Sequence, residues 1–162
     1  MEIRALDTQT SLSSTAALVA LVHCLARDAA EAKPGVDPPS ELIEEGIFRA
    51  ARFGVHGQLP DAGGRPRAVA EILEETLARV QRYARELGYT DLLALLPDLV
   101  ERGGGAGIQR DLHHFAGIDG LVRRLAQLTA AEAIAPALPL RALIDHPKGI
   151  IPASPRPERF AS

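Results

Sequence analysis

Four charged residues stand at spacings that suit chemistry on an anionic ligand. Glu2 and Arg4 lie two apart in Glu2-Ile3-Arg4-Ala5-Leu6-Asp7, whose polar–apolar alternation predicts a short strand. On a strand, side chains two apart share a face. A carboxylate beside a guanidinium can hold a metal ion and a phosphate together. The same pair also fits a solvated strand face, where such an ion pair contributes little. Arg49 and Arg52 lie three apart in a helical pattern and are neighbours on the helix surface. They could clamp an anionic substrate, or pair with Glu45 and nearby acids.

Other candidate residues carry less. Gly103-Gly104-Gly105-Ala106-Gly107 looks like a phosphate loop, but Arg110 stands where GxGxxG from Gly105 needs glycine, and no lysine–serine pair follows. A helix–helix turn is the better reading, with Arg110 near a helix start as a small opening for an anion. His113 and His114 are adjacent on a predicted helix, so their side chains diverge by roughly 100° and do not readily chelate one metal. His23 sits in an apolar helix and reads as a core histidine. The lone cysteine, Cys24, excludes an internal disulfide and a CxxC zinc site, and reads as a small reduced core residue.

The elements that must position these groups are mostly helices. The hydroxyl-rich stretch 8–14 is a loop ending at a cap, Ser13 or Ser14, before a helix to about Asp28. The apolar surface of that helix is broad enough to imply burial on more than one side. Ser40 is placed to cap a second helix over 41–53, with Gly54 at its left-handed C-cap. Gly and Pro over 55–67 suggest a small irregular hairpin. A third helix over 68–87 has the clearest period, and Gly88 ends it. Thr90 is placed to cap a fourth helix over 91–102, which Pro97 should kink or break. After the glycine turn come helices over 108–116 and 119–131, separated by Gly117. Six prolines from Pro136 onward mark 132–162 as an extended or disordered tail beyond a body over 1–131.

Composition limits the function classes. In 162 residues, 46% hydrophobic and 24% charged is the balance of a globular domain. A net charge of -3 gives no overall field to hold nucleic acid or an anionic membrane. Aromatics at 4%, with no Trp, supply few stacking platforms for single strands. The apolar run 16–26 is shorter than the roughly 20 residues that span a bilayer. No signal-peptide pattern opens the chain, so a cytoplasmic location is expected.

Taken in order, several segments resemble bacterial carboxylate–amine ligases, the type 2 relatives of glutamate–cysteine ligase. Residues 2–12, followed by the Ala-Leu-Val helix, are similar to a late catalytic segment of that family. Phe48-Arg49-Ala50-Ala51-Arg52-Phe53-Gly54-Val55-His56-Gly57 resembles its helical signature, in which two arginines between aromatic residues precede a Gly-x-x-Gly. The third helix, the Leu-Gly at Gly88 and Gly105-Ala106-Gly107-Ile108-Gln109-Arg110 follow in the family's order. The resemblance covers about 2–129.

It implies a mainly α C-terminal fragment of an α+β, glutamine-synthetase-like ligase domain. It implies ATP and magnesium as cofactors, with glutamate and an amine such as cysteine as substrates. By the same resemblance, Glu2 is a magnesium ligand, Arg4 a catalytic residue beside phosphate or substrate carboxylate, and Arg49 and Arg52 bind substrate. Two departures stand out. Gly46 and Ile47 occupy places where the family usually has Asn-Arg. The chain also opens where the family is past its middle, and magnesium held by one protein carboxylate would be weak. The expectation is a ligase portion inactive without an N-terminal half, which would be its partner unless the chain forms homo-oligomers. The alternative is a non-catalytic helical interaction module derived from the ligase.

Overall fold

A computed structural model describes residues 9, 11–32 and 38–134. The predicted strand with Glu2 and Arg4, and the tail from 135 onward, lie outside the described residues.

Helix α1 spans Leu12–Glu31. Its cap is Ser11, earlier than the expected Ser13 or Ser14. The Ser11 backbone is extended, and its Oγ accepts the Ser14 N–H at 3.0 Å. Ser13 and Ser14 are thereby absorbed into the first turn. The helix also runs past Asp28, because its last turn is tied to a neighbouring helix. Glu31 accepts from Arg27 at 3.1 Å and Arg82 at 3.0 Å, and Asp28 pairs with Arg79 at 3.2 Å.

Helix α2 spans Ser40–Phe53, with Pro39 rather than Ser40 in the cap position. Gly54 follows at φ 59°, as its placement predicts, and opens a short 3-10 turn to His56. Strands β1 (Gln58–Pro60) and β2 (Pro66–Ala68) form the expected hairpin, with Leu59 opposite Arg67 and Pro60 opposite Pro66. Its turn is closed by Asp61, whose Oδ1 accepts the N–H groups of Gly63 at 2.8 Å and Arg65 at 2.9 Å. Those bonds, the Arg65 N–H first, hold the Asp61 carboxyl below its ordinary range.

Helix α3 spans Val69–Glu86. Arg67 of β2 reaches along it to Glu71 at 3.2 Å and Glu75 at 2.8 Å, and its hydrogen bonds lower the Glu75 carboxyl. Gly88, at φ 72°, lets the chain turn back so that the Tyr89 N–H bonds the Ala84 carbonyl at 2.7 Å. The predicted fourth helix is indeed broken. It becomes α4 (Thr90–Leu93) and α5 (Leu96–Glu101), with Pro97 in the first turn of α5, where its missing N–H costs nothing. Thr90 is the first helical residue and makes no side-chain cap. Helix α6 spans Gly104–Ile134 and is interrupted at Gly117, whose φ 67°, ψ -175° is not helical. The two halves match the two helices expected either side of Gly117, but the first starts at Gly104 rather than Ile108.

The core lies between α1, α3, α4, α5 and the start of α6. Ala17, Ala20 and Cys24 form one buried stripe on α1, opposite Val80, Tyr83 and Ala84 of α3. Leu93, Leu96, Leu99 and Ile108 close the other side. Small residues on α1 let the helices approach closely. Burial pushes the Cys24 thiol up, away from the reactive thiolate. By length and composition alone α1 is apolar enough to cross a bilayer. Here it packs inside the bundle against α3, α4, α5 and α6, as the expectation of burial on more than one side required, though Val19 stays exposed.

Candidate functional site on the arginine helix

Helix α2 positions the two arginines. It is strongly amphipathic, yet none of its residues is buried. Its main packing partner is β1, with Pro60 lying beside Gly46, and Leu42 lies beside Gly64 of the hairpin turn. A Cβ added at Gly46 would meet only Pro60 Cδ, at 3.9 Å, an ordinary contact. Gly46→Ala should therefore stabilise the chain by about 0.5–1 kcal/mol through helix propensity. Urea unfolding followed by circular dichroism checks this, and a destabilised variant would refute it.

Arg49 and Arg52 differ in their surroundings. Arg49 Nε donates to Glu45 Oε1 at 2.6 Å, the pairing that the spacing allowed as the plainer alternative. Arg52 lays its guanidinium over the Phe53 ring, 5.6 Å from the centroid, and makes no ion pair among the described residues. The structure thus leaves Arg52 the better placed of the two to take a carboxylate or phosphate. Glu2 and Arg4 cannot be placed against them, since both lie outside the described residues.

The 3-10 turn after α2 does something the sequence does not announce. Val55 and His56 pack against the glycine turn at the start of α6. A Cβ on Gly103 would stand 2.9 Å from His56 Nε2, and one on Gly104 would meet Val55 Cγ1 at 3.7 Å. Gly57 is buried, and a Cβ there would stand 2.9 Å from Phe53 Cβ. Two glycine motifs about fifty positions apart in the chain therefore meet, and their glycines allow close approach rather than cradling a phosphate. The only signal in the sequence was that both motifs are glycine-rich. Arg110 is exposed in the second turn of α6.

The remaining polar clusters are structural. Tyr83 donates to Glu31 at 3.0 Å and accepts from Arg82, whose guanidinium also covers the Tyr83 ring. Burial first, and donation to Glu31 second, raise the Tyr83 phenol above its ordinary range. This α1–α3 cluster went unread in the sequence because its members lie about fifty positions apart. His23 shares a 3.2 Å hydrogen bond with Tyr89 and is half out of the core rather than within it. His113 and His114 are exposed, and among the described residues no group of three or more His, Cys, Asp or Glu could hold a metal. A shallow apolar cleft of about 200 Å³ between α3 and α4, lined by Leu77, Ala84 and Leu93 among others, holds no charged group.

The comparison with known proteins agrees with the order of motifs. The sequence model of Glutamate-cysteine ligase family 2 matches residues 1–133. A candidate glutamate–cysteine ligase 2 from Bordetella avium strain 197N is 30% identical over 169 residues, covering 99% of this chain and 41% of the relative. A candidate glutamate–cysteine ligase 2-1 from Mycolicibacterium vanbaalenii is 33% identical over 141 residues, covering 83% of this chain and 36% of the relative. The candidate glutamate–cysteine ligase 2 of Mycobacterium tuberculosis strain H37Rv matches to the same extent. No solved structure matches the chain. The chain belongs to glutamate–cysteine ligase family 2, and it spans about two fifths of the length of these relatives.

Proposed function

We propose that this chain is the C-terminal portion of an ATP-dependent carboxylate–amine ligase, acting in the cytoplasm on glutamate and an amine such as cysteine. The observation that carries this reading is the family match over residues 1–133. ATP with magnesium supplies activation of the side-chain carboxylate as an acyl phosphate, with ADP leaving. The amine nitrogen then attacks the acyl carbon and phosphate leaves.

In this reading Arg52 holds the substrate's anionic group, with Arg49 behind it, oriented by Glu45. Arg4 lies beside the transferring phosphate, where a fixed positive charge lowers the barrier. Glu2 is one ligand of magnesium. Magnesium held by this one carboxylate, with phosphate oxygens and water as its other ligands, would be weak. In this reading ligation requires the rest of the fold, on the same polypeptide or another. A second reading, a non-catalytic helical module, draws support from Gly46 and Ile47 and from the Arg49–Glu45 pairing.

The test grafts the full chain in place of the matching stretch of the Bordetella avium relative. Phosphate release from ATP is then followed with glutamate and cysteine present. The graft is expected to turn over, and Arg52→Ala to raise the KM for glutamate about tenfold, the loss of one charge-assisted contact. A folded, soluble graft that never hydrolyses ATP would favour the non-catalytic module.

A further inference from the structure

The second half of α6 carries an uncharged ridge on its outer side. Ile118 and Val122 are each 61% exposed, and Ala126 and Ala130 are exposed as well. The four stand four apart, so they form one ridge on the helix surface that rises about 6 Å at each step. No charged residue interrupts it, although Asp119 and Arg123 stand beside it. The other side of this half is already committed, with Leu128 buried and Leu121 and Leu125 half-buried.

The sequence that follows α6 matches this ridge in kind and in spacing. Pro136 stands just beyond the end of the helix at Ile134, where its missing N–H and its ring oppose a further helical turn. Ala135 and Leu138 each precede a proline, which favours extended backbone at both. From there Leu138, Leu140, Ala142 and Ile144 are apolar and two apart. On an extended chain, residues two apart share a face and lie about 6.4–6.8 Å from one another. Each such pair therefore covers one step of the ridge. Three steps come to about 18 Å of helix and about 20 Å of extended chain. Residues 135–137 supply about 10 Å for the turn back, the width of a helix.

We propose that residues 138–144 run back along α6 and seat Leu138, Leu140, Ala142 and Ile144 on the ridge of Ala130, Ala126, Val122 and Ile118. In this register Leu138 and Leu140 fall on alanines and Ala142 falls on Val122, the alternation of large and small that close packing needs. The proposal stands apart from the ligase reading, because the family match ends at residue 133, before this segment begins.

The experiment is thiol labelling of Val122→Cys in the full chain. Wild-type chain serves as the blank, because Cys24 is fully buried. The new thiol should react at least tenfold more slowly than an exposed control, Glu74→Cys. Adding Leu140→Asp and Ile144→Asp should bring it to the control rate. Equal rates at Val122→Cys and the control, without those substitutions, would overturn the proposal. Protection that survives both aspartates would overturn it too, since something other than this segment would then cover the ridge. Protection that fades on dilution, together with a dimer in ultracentrifugation, would assign the ridge to a second copy and again overturn it. A second measurement tests the register. Under copper phenanthroline, Val122→Cys with Ala142→Cys should close an intramolecular disulfide at least tenfold faster than Val122→Cys with Ser154→Cys. Chain length alone would give only about a twofold difference. A ratio of that size would mean that the segment meets α6 by random collision, and the proposal would fall.

Discussion

Leu96→Ala is expected to destabilise the chain by about 2–5 kcal/mol, among the largest effects available to a single truncation here. Leu96 is 3% exposed and sits in α5 where α1, α3 and α6 converge. Removing its branched end deletes apolar burial and leaves a cavity that three helices cannot all move to fill. The helices are held apart from collapse by their own contacts, including the Asp28–Arg79 and Glu31–Arg82 pairs between α1 and α3. Val19→Ala provides the contrast, since Val19 is 60% exposed on the outer face of α1. It should change stability by no more than about 0.5 kcal/mol. Urea titrations of both variants, read by helical circular dichroism, decide the matter. Equal effects would mean that the core does not lie where α5 meets α1 and α3.

Gly107→Ala should cost about 3 kcal/mol, the upper end for an added methyl. A Cβ on Gly107 would clash with the Arg102 carbonyl oxygen and stand 3.1 Å from its carbon. Both are backbone atoms, so no side-chain rotation relieves the clash. The Gly107 N–H also bonds the Gly103 carbonyl at 3.1 Å. The turn between α5 and α6 must therefore open. That would shift Gly103 and Gly104, the surface on which His56 and Val55 rest. Gly107→Ala and Gly46→Ala make the same chemical change with opposite expected signs. Measured side by side, they separate a packing requirement from helix propensity. If Gly107→Ala proved neutral, the close approach of the two glycine motifs would be wrong.

Much of the fold was legible in local pattern. The 3.6-residue period marked α3, and Gly54, Gly88, Pro97 and Gly117 stand where helices end or break. Each of these signals acts within a few residues, so the sequence carries it directly. What escaped was set by distant partners. The last turn of α1 is held by Arg79, Arg82 and Tyr83, about fifty positions away. The cap is Ser11 rather than the expected Ser13 or Ser14, because the extended Ser11 backbone places its Oγ to accept the Ser14 N–H.

The site was legible to a different degree. The Arg49–Glu45 pairing follows from i,i+4 spacing and was open to inference. That Arg52, and not Arg49, is left without a carboxylate partner among the described residues was not. The meeting of Val55 and His56 with the Gly103 turn is a tertiary contact with no local trace. The identity of the family came from motif order, which no single element of the structure supplies.

The most direct test of the central claim is calorimetric titration of magnesium–ATP into the free chain and into the Bordetella avium graft. The claim is that this family member carries part of a nucleotide and substrate site that only the rest of the fold completes. It predicts no saturable heat with the free chain and saturable binding with the graft, weakened by Glu2→Ala and Arg4→Ala. Saturable binding by the free chain, abolished by either substitution, would contradict it and place a sufficient magnesium–ATP site within these 162 residues.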